Sequence, residues 1–422
     1  GPEYLNFMNF EGVGTAVTFD SNSFAPDSAS TATSIATGHK TYSGSINVDE
    51  TGTVEYETIA EQLKAQKGYE IGVITSVNLN HATPAAFYAH QASRSSYYEI
   101  GLEMVESNFD YFAGGGLLDP TGSEGDQTDL YQLAQEAGYT VARTYAEADA
   151  ISADTDKAII IEENLADSDA IPYEIDRTDD MWSLADYVEK GIEVLDNDTG
   201  FFMMCEGGKI DWACHANDAG STIHDTQALA DAVQVAIDFA AEHPDETLIL
   251  VTGDHETGGL TIGFAGTDYD TYLDLLENQK ISYAKFDSDY VASYKENKTP
   301  FEDVLSDIEE LFGLKAQGAA DDKLVLTEYE MEQLRAAYEK SVNGTAASEY
   351  EQEEYVLYGT YEPLSVTITH IINNKSGISF TSYSHTGLPV AVLAEGVGAE
   401  NFSGYYDNTQ IYEKMADLLN IA

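Results

Sequence analysis

Two short apolar runs constrain this chain more than any other feature, because each ends abruptly in carboxylate and imidazole groups. Phe201-Phe202-Met203-Met204-Cys205 leads into Glu206-Gly-Gly-Lys-Ile-Asp211-Trp-Ala-Cys-His215, and Thr247-Leu248-Ile249-Leu250-Val251 leads to Asp254-His255-Glu-Thr-Gly-Gly. Runs apolar at successive positions read as strands buried on both faces. Between such runs, residues 57–63, 182–195 and 225–240 carry apolar side chains at helical spacing, and residues 71–75 read as another strand. The alternation predicts an α/β chain, a layered α/β/α sandwich around a central, mainly parallel sheet. In open α/β sheets ligands collect beyond the carboxyl ends of strands, so both clusters are expected to face one pocket.

A third segment supplies a nucleophile. Residues 26–38 read Pro-Asp27-Ser28-Ala-Ser-Thr-Ala-Thr-Ser-Ile-Ala-Thr-Gly38. Small side chains after Ser28 let a helix start pack tightly behind its hydroxyl. The helix N-terminus points free N–H groups and a partial positive charge at whatever that hydroxyl attacks, and phosphate is the natural guest there. Ser384-His385-Thr-Gly adds one more imidazole. Histidine nitrogen with carboxylate oxygen is a zinc-type donor set. Taken singly, each motif has an ordinary reading. His81 and Thr83 suit a turn before Pro84, an Asp-His pair suits any turn, and His385 suits an exposed loop. Their joint order is what carries the chemistry.

Together these segments resemble the alkaline phosphatase family, from about residue 10 to 260 and again from about 365 towards the C-terminus. The carriers are Asp27-Ser28-Ala29, His81-Ala-Thr83-Pro-Ala-Ala, Ser93-Arg94, Glu206-(x4)-Asp211-(x3)-His215, Asp254-His255-(x)-Thr-Gly-Gly and His385-Thr-Gly, in the family's order. The resemblance implies hydrolysis of phosphate monoesters through a phosphoseryl intermediate on Ser28. It implies a first zinc on Asp211, His215 and His385, and a second on Asp254 and His255 with Ser28 reaching it. Thr83 and Glu206 match the ligands of a third metal, usually magnesium. His81 stands near that site where some members carry aspartate, so zinc can take magnesium's place there. Arg94 matches the residue gripping two phosphoryl oxygens, with Asp27 beside it in the substrate site. A guanidinium fork suits that task where a lysine would not, and Arg94 is one of four arginines, with Arg143, Arg177 and Arg335.

Members of the family open with an apolar strand ending in a Gly-Asp-Gly-like turn, whose aspartate bridges the second and third metals. No such segment precedes Ser28 here. A lost interior strand is expected to leave unpaired backbone groups and exposed apolar faces. Two alternatives to a monoesterase follow: a phosphodiesterase of the same superfamily, and a chain that binds metal or phosphate without turnover. The Cys/Ser-x-Pro-x-Arg motif of sulfatases, which share the fold, is absent.

Residues 265–360 break the alternation. They are rich in Tyr, Asp, Glu and Lys, with helical patterns at 301–312 and 328–341. Their position matches the family's crown or lid insertion, which divides the chain into a catalytic core (1–264 and 361–422) and an insertion (265–360). A substrate-shaping lid and a solvated decoration are both open readings.

The chain of 422 residues carries 75 acidic against 19 basic residues, a net charge of −56. That charge repels nucleic acid and anionic membranes; small phosphate esters are the partners that the resemblance implies. It suits either a surface adapted to high salt or an extracellular protein kept soluble by charge. No run of 18 apolar residues offers a transmembrane helix. A periplasmic or secreted location and a homodimer follow from the resemblance alone, and the first residues carry no signal-peptide pattern. Cys205 and Cys214 read as two small buried thiols rather than a bridge. His39, His90, His224, His243 and His370 match no ligand.

Overall fold

The computed structural model describes residues 5–344 and 349–421. Its centre is a parallel five-stranded sheet in the order β4-β5-β3-β2-β6. The strands are β2 (Glu70–Asn78), β3 (Tyr111–Gly115), β4 (Thr140–Ala142), β5 (Ala158–Ile161) and β6 (Phe201–Glu206). A second sheet runs β13-β1-β12-β7, with β1 Gly12–Val17, β7 Leu248–Thr252, β12 Val390–Gly396 and β13 Gly404–Asp407. Here β1 is parallel to β13, while β12 is antiparallel to both β1 and β7. The mainly parallel expectation therefore holds for the first sheet and is diluted in the second by β12.

Helices cover both faces. On one side lie α1 (Ser28–Thr37), α2 (Ile59–Lys67), α3 (Ala82–Ala85), α4 (Tyr97–Glu106) and α5 (Leu130–Glu136), sharing a core with Phe112, Ile159 and Val392. After α6 (Tyr145–Asp149), the opposite side is built by α7 (Leu184–Leu195) and, beyond α8 (Gly208–His215), by α9 (Ala219–Glu242). α2 has a complete capping box between Thr58 and Glu61 and stops at Gly68, whose φ of 70° only glycine adopts freely. α7 is capped likewise by Ser183 and Asp186. The helix expected at 225–240 begins earlier, at Ala219, because Asp218 accepts the N–H of Ser221 and caps it there.

Beyond β7, the short ladder β8 (Glu256–Thr257) with β11 (His385–Thr386) ties the two distant halves of the chain together, and β9 (Thr261–Ile262) pairs β10 (Ile378–Ser379). The region between them holds α10 (Tyr283–Phe286), α11 (Ala292–Asn297), α12 (Phe301–Phe312), α13 (Glu328–Asn343) and α14 (Gln352–Tyr358). Phe286, Phe312, Leu334 and Tyr338 form a core of their own there, and α15 (Pro363–Ser376) joins it through Leu364, Ile368 and Ile372. The C-terminal helix α16 (Thr409–Leu419) returns to α1.

Among the described residues β6 pairs only with β2, and β7 only with β12. All six residues of β6 are half-buried, whereas β2 is buried almost throughout. Cys205, expected to be buried, is half-buried for this reason, while Cys214 is buried; both are free thiols.

Candidate active site

α1 begins at Ser28, capped by Asp27, whose Oδ1 accepts the N–H of Ser30 at 3.1 Å. The helix stops at Gly38, φ 75°, where a Cβ would meet the Tyr412 ring at 2.6 Å. Ser28 is 6% exposed, and its Oγ stands 2.9 Å from Nε2 of His255, a residue reached from the end of β7.

The protons around this pair are fixed by their acceptors. The Thr257 hydroxyl donates to Asp211 Oδ1 at 2.5 Å, so its oxygen accepts from His255 Nδ1–H at 3.2 Å. That leaves the His255 Nε2 lone pair facing Ser28, whose hydroxyl donates to it. Asp254 Oδ2 lies 3.2 Å from the same Nε2. Three oxygen and nitrogen donors from two chain segments thus converge.

A second convergence lies alongside. Asp211 and His215 project from α8, one helical turn apart, and His385 comes from β11. One Oδ1 of Asp211 is 3.4 Å from His215 Nε2 and 3.5 Å from His385 Nε2, and the two Nε2 atoms are 3.1 Å apart. Each ring has its Nδ1 held by a backbone carbonyl: His215 by Tyr383 at 2.7 Å, His385 by Pro26 at 2.5 Å. A carbonyl only accepts, so each Nδ1 carries the proton and each Nε2 offers its lone pair. Two lone pairs aimed together are unfavourable unless a cation shares them. Nitrogens about 2.1 Å from one tetrahedral zinc would stand about 3.4 Å apart, close to the observed spacing. The donor set therefore fits a metal. Asp211, His215 and His385 are also the cluster of metal-ligating groups found among the described residues. The His255 and His385 rings stack at 3.5 Å between centroids, which sets the two convergences side by side.

Glu206 ends β6. Thr75 donates to its Oε2 at 2.5 Å, and Thr83 hydrogen-bonds to it as well. Burial, with the nearby Asp254 charge, pushes its carboxyl up to about 7 against these hydroxyl bonds. An acid so raised is a carboxylate short of positive charge. Thr83 lies in α3, after His81 at the N-cap; the His81 side chain makes no cap bond. His81 instead stands edge-on to Trp212 at 5.8 Å between centroids. Burial first, then the Arg94 charge, lowers it to about 4, so it is neutral at physiological pH.

Arg94 reaches the site from the loop before α4, and its Nη1 donates to Asp27 Oδ2 at 2.9 Å. Burial raises the Asp27 carboxyl, but Arg94 and the N–H groups of Gly44 and Ser30 outweigh it, and the group is held below its usual range. Arg94 thus stands near the start of α1 with further N–H donors to spare.

The structure thus gathers Ser28, Asp254, His255, Asp211, His215 and His385 into one centre and brings Thr83 to Glu206, with His81 turned towards Trp212. Thr257, Thr75 and the carbonyls of Pro26 and Tyr383 were not anticipated. Only Thr257, inside the Asp-His-x-Thr-Gly-Gly turn, carried any signal in the sequence.

Comparison with known proteins agrees with this geometry. The family model described as alkaline phosphatase matches residues 2–421. Alkaline phosphatase 3 of Bacillus subtilis is 32% identical over 394 residues, covering 91% of this chain and 75% of that protein. A cold-active alkaline phosphatase from a psychrophilic Shewanella superposes with a TM-score of 0.80 at 30% identity, covering 99% of this chain and 92% of the other. A single-residue variant of the TAB5 alkaline phosphatase, described with magnesium bound in its M3 site, gives 0.67 at 26% identity, covering 100% and 92%. This chain belongs to the alkaline phosphatase family, a family of metal-dependent enzymes that hydrolyse phosphate esters.

Proposed function

We propose that the chain hydrolyses phosphate monoesters through a phosphoryl group carried transiently by Ser28. The observation that carries this reading is the Ser28 hydroxyl, which lies at a helix N-terminus within 2.9 Å of His255 Nε2, beside the converging imidazoles. Asp211, His215 and His385 would hold one zinc, and Asp254, His255 and Ser28 a second. Thr83 and Glu206, with His81 nearby, would hold magnesium or a third zinc. Bound there, the ions would lower the serine pKa and supply positive charge to the reacting oxygens.

The protein groups do the rest. Asp27 orients Arg94, whose guanidinium grips two phosphoryl oxygens. The first N–H groups of α1 face the same anion. Ser28 gives up its hydroxyl proton to water as its Oγ bonds to phosphorus, and the ester oxygen leaves with a proton from water. A second water then takes the phosphoryl group and releases inorganic phosphate. The dianion of a monoester draws more from Arg94 and three cations than a diester monoanion does, which favours the monoesterase over the diesterase. Residues 265–360 are read as an insertion that shapes access. Small phosphate esters are the partners, in a periplasmic or secreted homodimer. No helix among the described residues is long and apolar enough to cross a membrane.

Hydrolysis of p-nitrophenyl phosphate and of bis(p-nitrophenyl) phosphate, each with zinc and magnesium at alkaline pH, tests the reading. The monoester is expected to react at least about 100-fold faster, a difference of some 2.7 kcal/mol. Faster turnover of the diester would assign the chain to the diesterases.

A further inference from the structure

Asn217 stands two residues past His215, in the turn between α8 and α9, with a φ of 55°. Asparagine is one of the few residues that takes this left-handed conformation readily. Here it is 3% exposed. We propose that its side-chain amide is a positioning group for His215 and His385, bracing the two chain segments that supply them. The proposal rests on the reading that Asp211, His215 and His385 hold zinc.

The neighbours of the amide fix its orientation. Its Nδ2 stands 2.9 Å from the carbonyl of Cys214 and 2.9 Å from that of Ser382. Carbonyls only accept, so both N–H groups of the amide are committed to them. Its Oδ1 lies 2.9 Å from Nε2 of His370, on α15. Burial pushes His370 down to about 4, so the ring is neutral, and its Nε2 carries the proton that Oδ1 accepts. The backbone of Asn217 is used as fully. Its N–H donates to the Cys214 carbonyl at 3.0 Å, and its carbonyl accepts from Asn373 Nδ2 at 2.7 Å.

The two bridged carbonyls give the amide its reach. Cys214 immediately precedes His215 in α8. Ser382 immediately precedes Tyr383, whose carbonyl holds His215 Nδ1, and lies three residues before His385. The same junction takes in the turn after His255. The Gly258 carbonyl accepts from the Ser382 N–H, and a Cβ on Gly258 would stand 2.8 Å from the Cys214 carbonyl oxygen. The 3.1 Å between the His215 and His385 Nε2 atoms is thus held from outside, by an amide that hydrogen-bonds to neither ring. Lone pairs aimed together push apart, so the loop carrying His385 needs a brace against α8. A buried polar network with every member satisfied holds one such arrangement.

The test is the zinc concentration that shields His215 and His385 from diethyl pyrocarbonate, followed residue by residue by mass spectrometry on the whole chain. Asn217→Gly keeps the left-handed backbone and removes the amide. Asn373→Ala is the matched control, because it removes a hydrogen bond from α15 to the same turn and leaves the amide in place. Half-shielding should need about 10- to 100-fold more zinc in Asn217→Gly than in the parent, and should stay within about 3-fold of the parent in Asn373→Ala. His370→Leu frees Oδ1 alone and should need about 3- to 10-fold more. Parent-like shielding in Asn217→Gly, or in His370→Leu where the glycine variant does not fold, would overturn the proposal. So would equal losses in Asn217→Gly and Asn373→Ala, which would assign Asn217 to stability alone. A parent chain that zinc leaves unshielded would overturn the zinc reading, and the proposal with it.

Discussion

Asp27 holds Arg94 with one carboxylate oxygen and the start of α1 with the other: Oδ2 accepts from Arg94 Nη1 at 2.9 Å, while Oδ1 accepts from the N–H groups of Ser30 and Gly44 at 3.1 and 2.9 Å. One side chain thus ties the Arg94 guanidinium, proposed to grip the substrate, to the helix that carries Ser28, the proposed nucleophile. Asp27→Ala should raise KM for p-nitrophenyl phosphate about 10-fold and cost about 1–2 kcal/mol of stability through the lost cap. Steady-state kinetics and a urea melt check both. An unchanged KM would detach Arg94 positioning from Asp27.

Arg94→Lys keeps the charge and loses the fork. kcat/KM for phosphate monoesters should fall about 10- to 100-fold, with little change in melting temperature. Equal activity would mean that a point charge suffices.

Thr257 donates a hydrogen bond to Asp211 and accepts one from His255. Thr257→Val keeps the shape and removes both bonds. Zinc affinity, read by competition with a chelator, should drop about 10- to 100-fold. Retained affinity would remove Thr257 from the account.

Asp287, in the region between α10 and α11, is pushed up to about 8 by burial and by the neighbouring Glu362 charge, against a hydrogen bond from Ser365. A carboxyl raised from 3.8 in the folded state favours folding below that value, and the contribution is lost as pH rises towards 8. Asp287→Asn should therefore melt like the parent near pH 4 and above it near pH 8, by about 2–5 kcal/mol. A gap independent of pH would refute the assignment.

The net charge of −56 makes self-repulsion a standing cost of compactness. Raising sodium chloride from millimolar to molar should lift the melting temperature by about 5–10 °C if the surface is adapted to salt. A flat or falling curve would leave charge to solubility alone.

Much of this was legible in the sequence because the motifs are local. The helix expected at 301–312 is found as Phe301–Phe312, since Pro300 and Gly313 bracket an unbroken amphipathic pattern. Asp211 and His215 were readable as a pair because four residues make one helical turn. What stayed hidden is long-range. Nothing near His385 in sequence indicates that Pro26, 359 residues away, holds its ring. Cys205 looked like an interior residue because its run is apolar, and only the topology puts β6 at the end of its sheet among the described residues. Only the structure shows that the His81 ring stands edge-on to Trp212.

The central claim is that Ser28 carries the phosphoryl group, and the most direct measurement is acid-quenched mass spectrometry of the zinc- and magnesium-loaded protein during turnover of p-nitrophenyl phosphate. The account predicts one added phosphoryl group on the peptide containing Ser28, and loss of both label and turnover in Ser28→Ala. Turnover by Ser28→Ala at the parent rate, or a label on another residue, would contradict it.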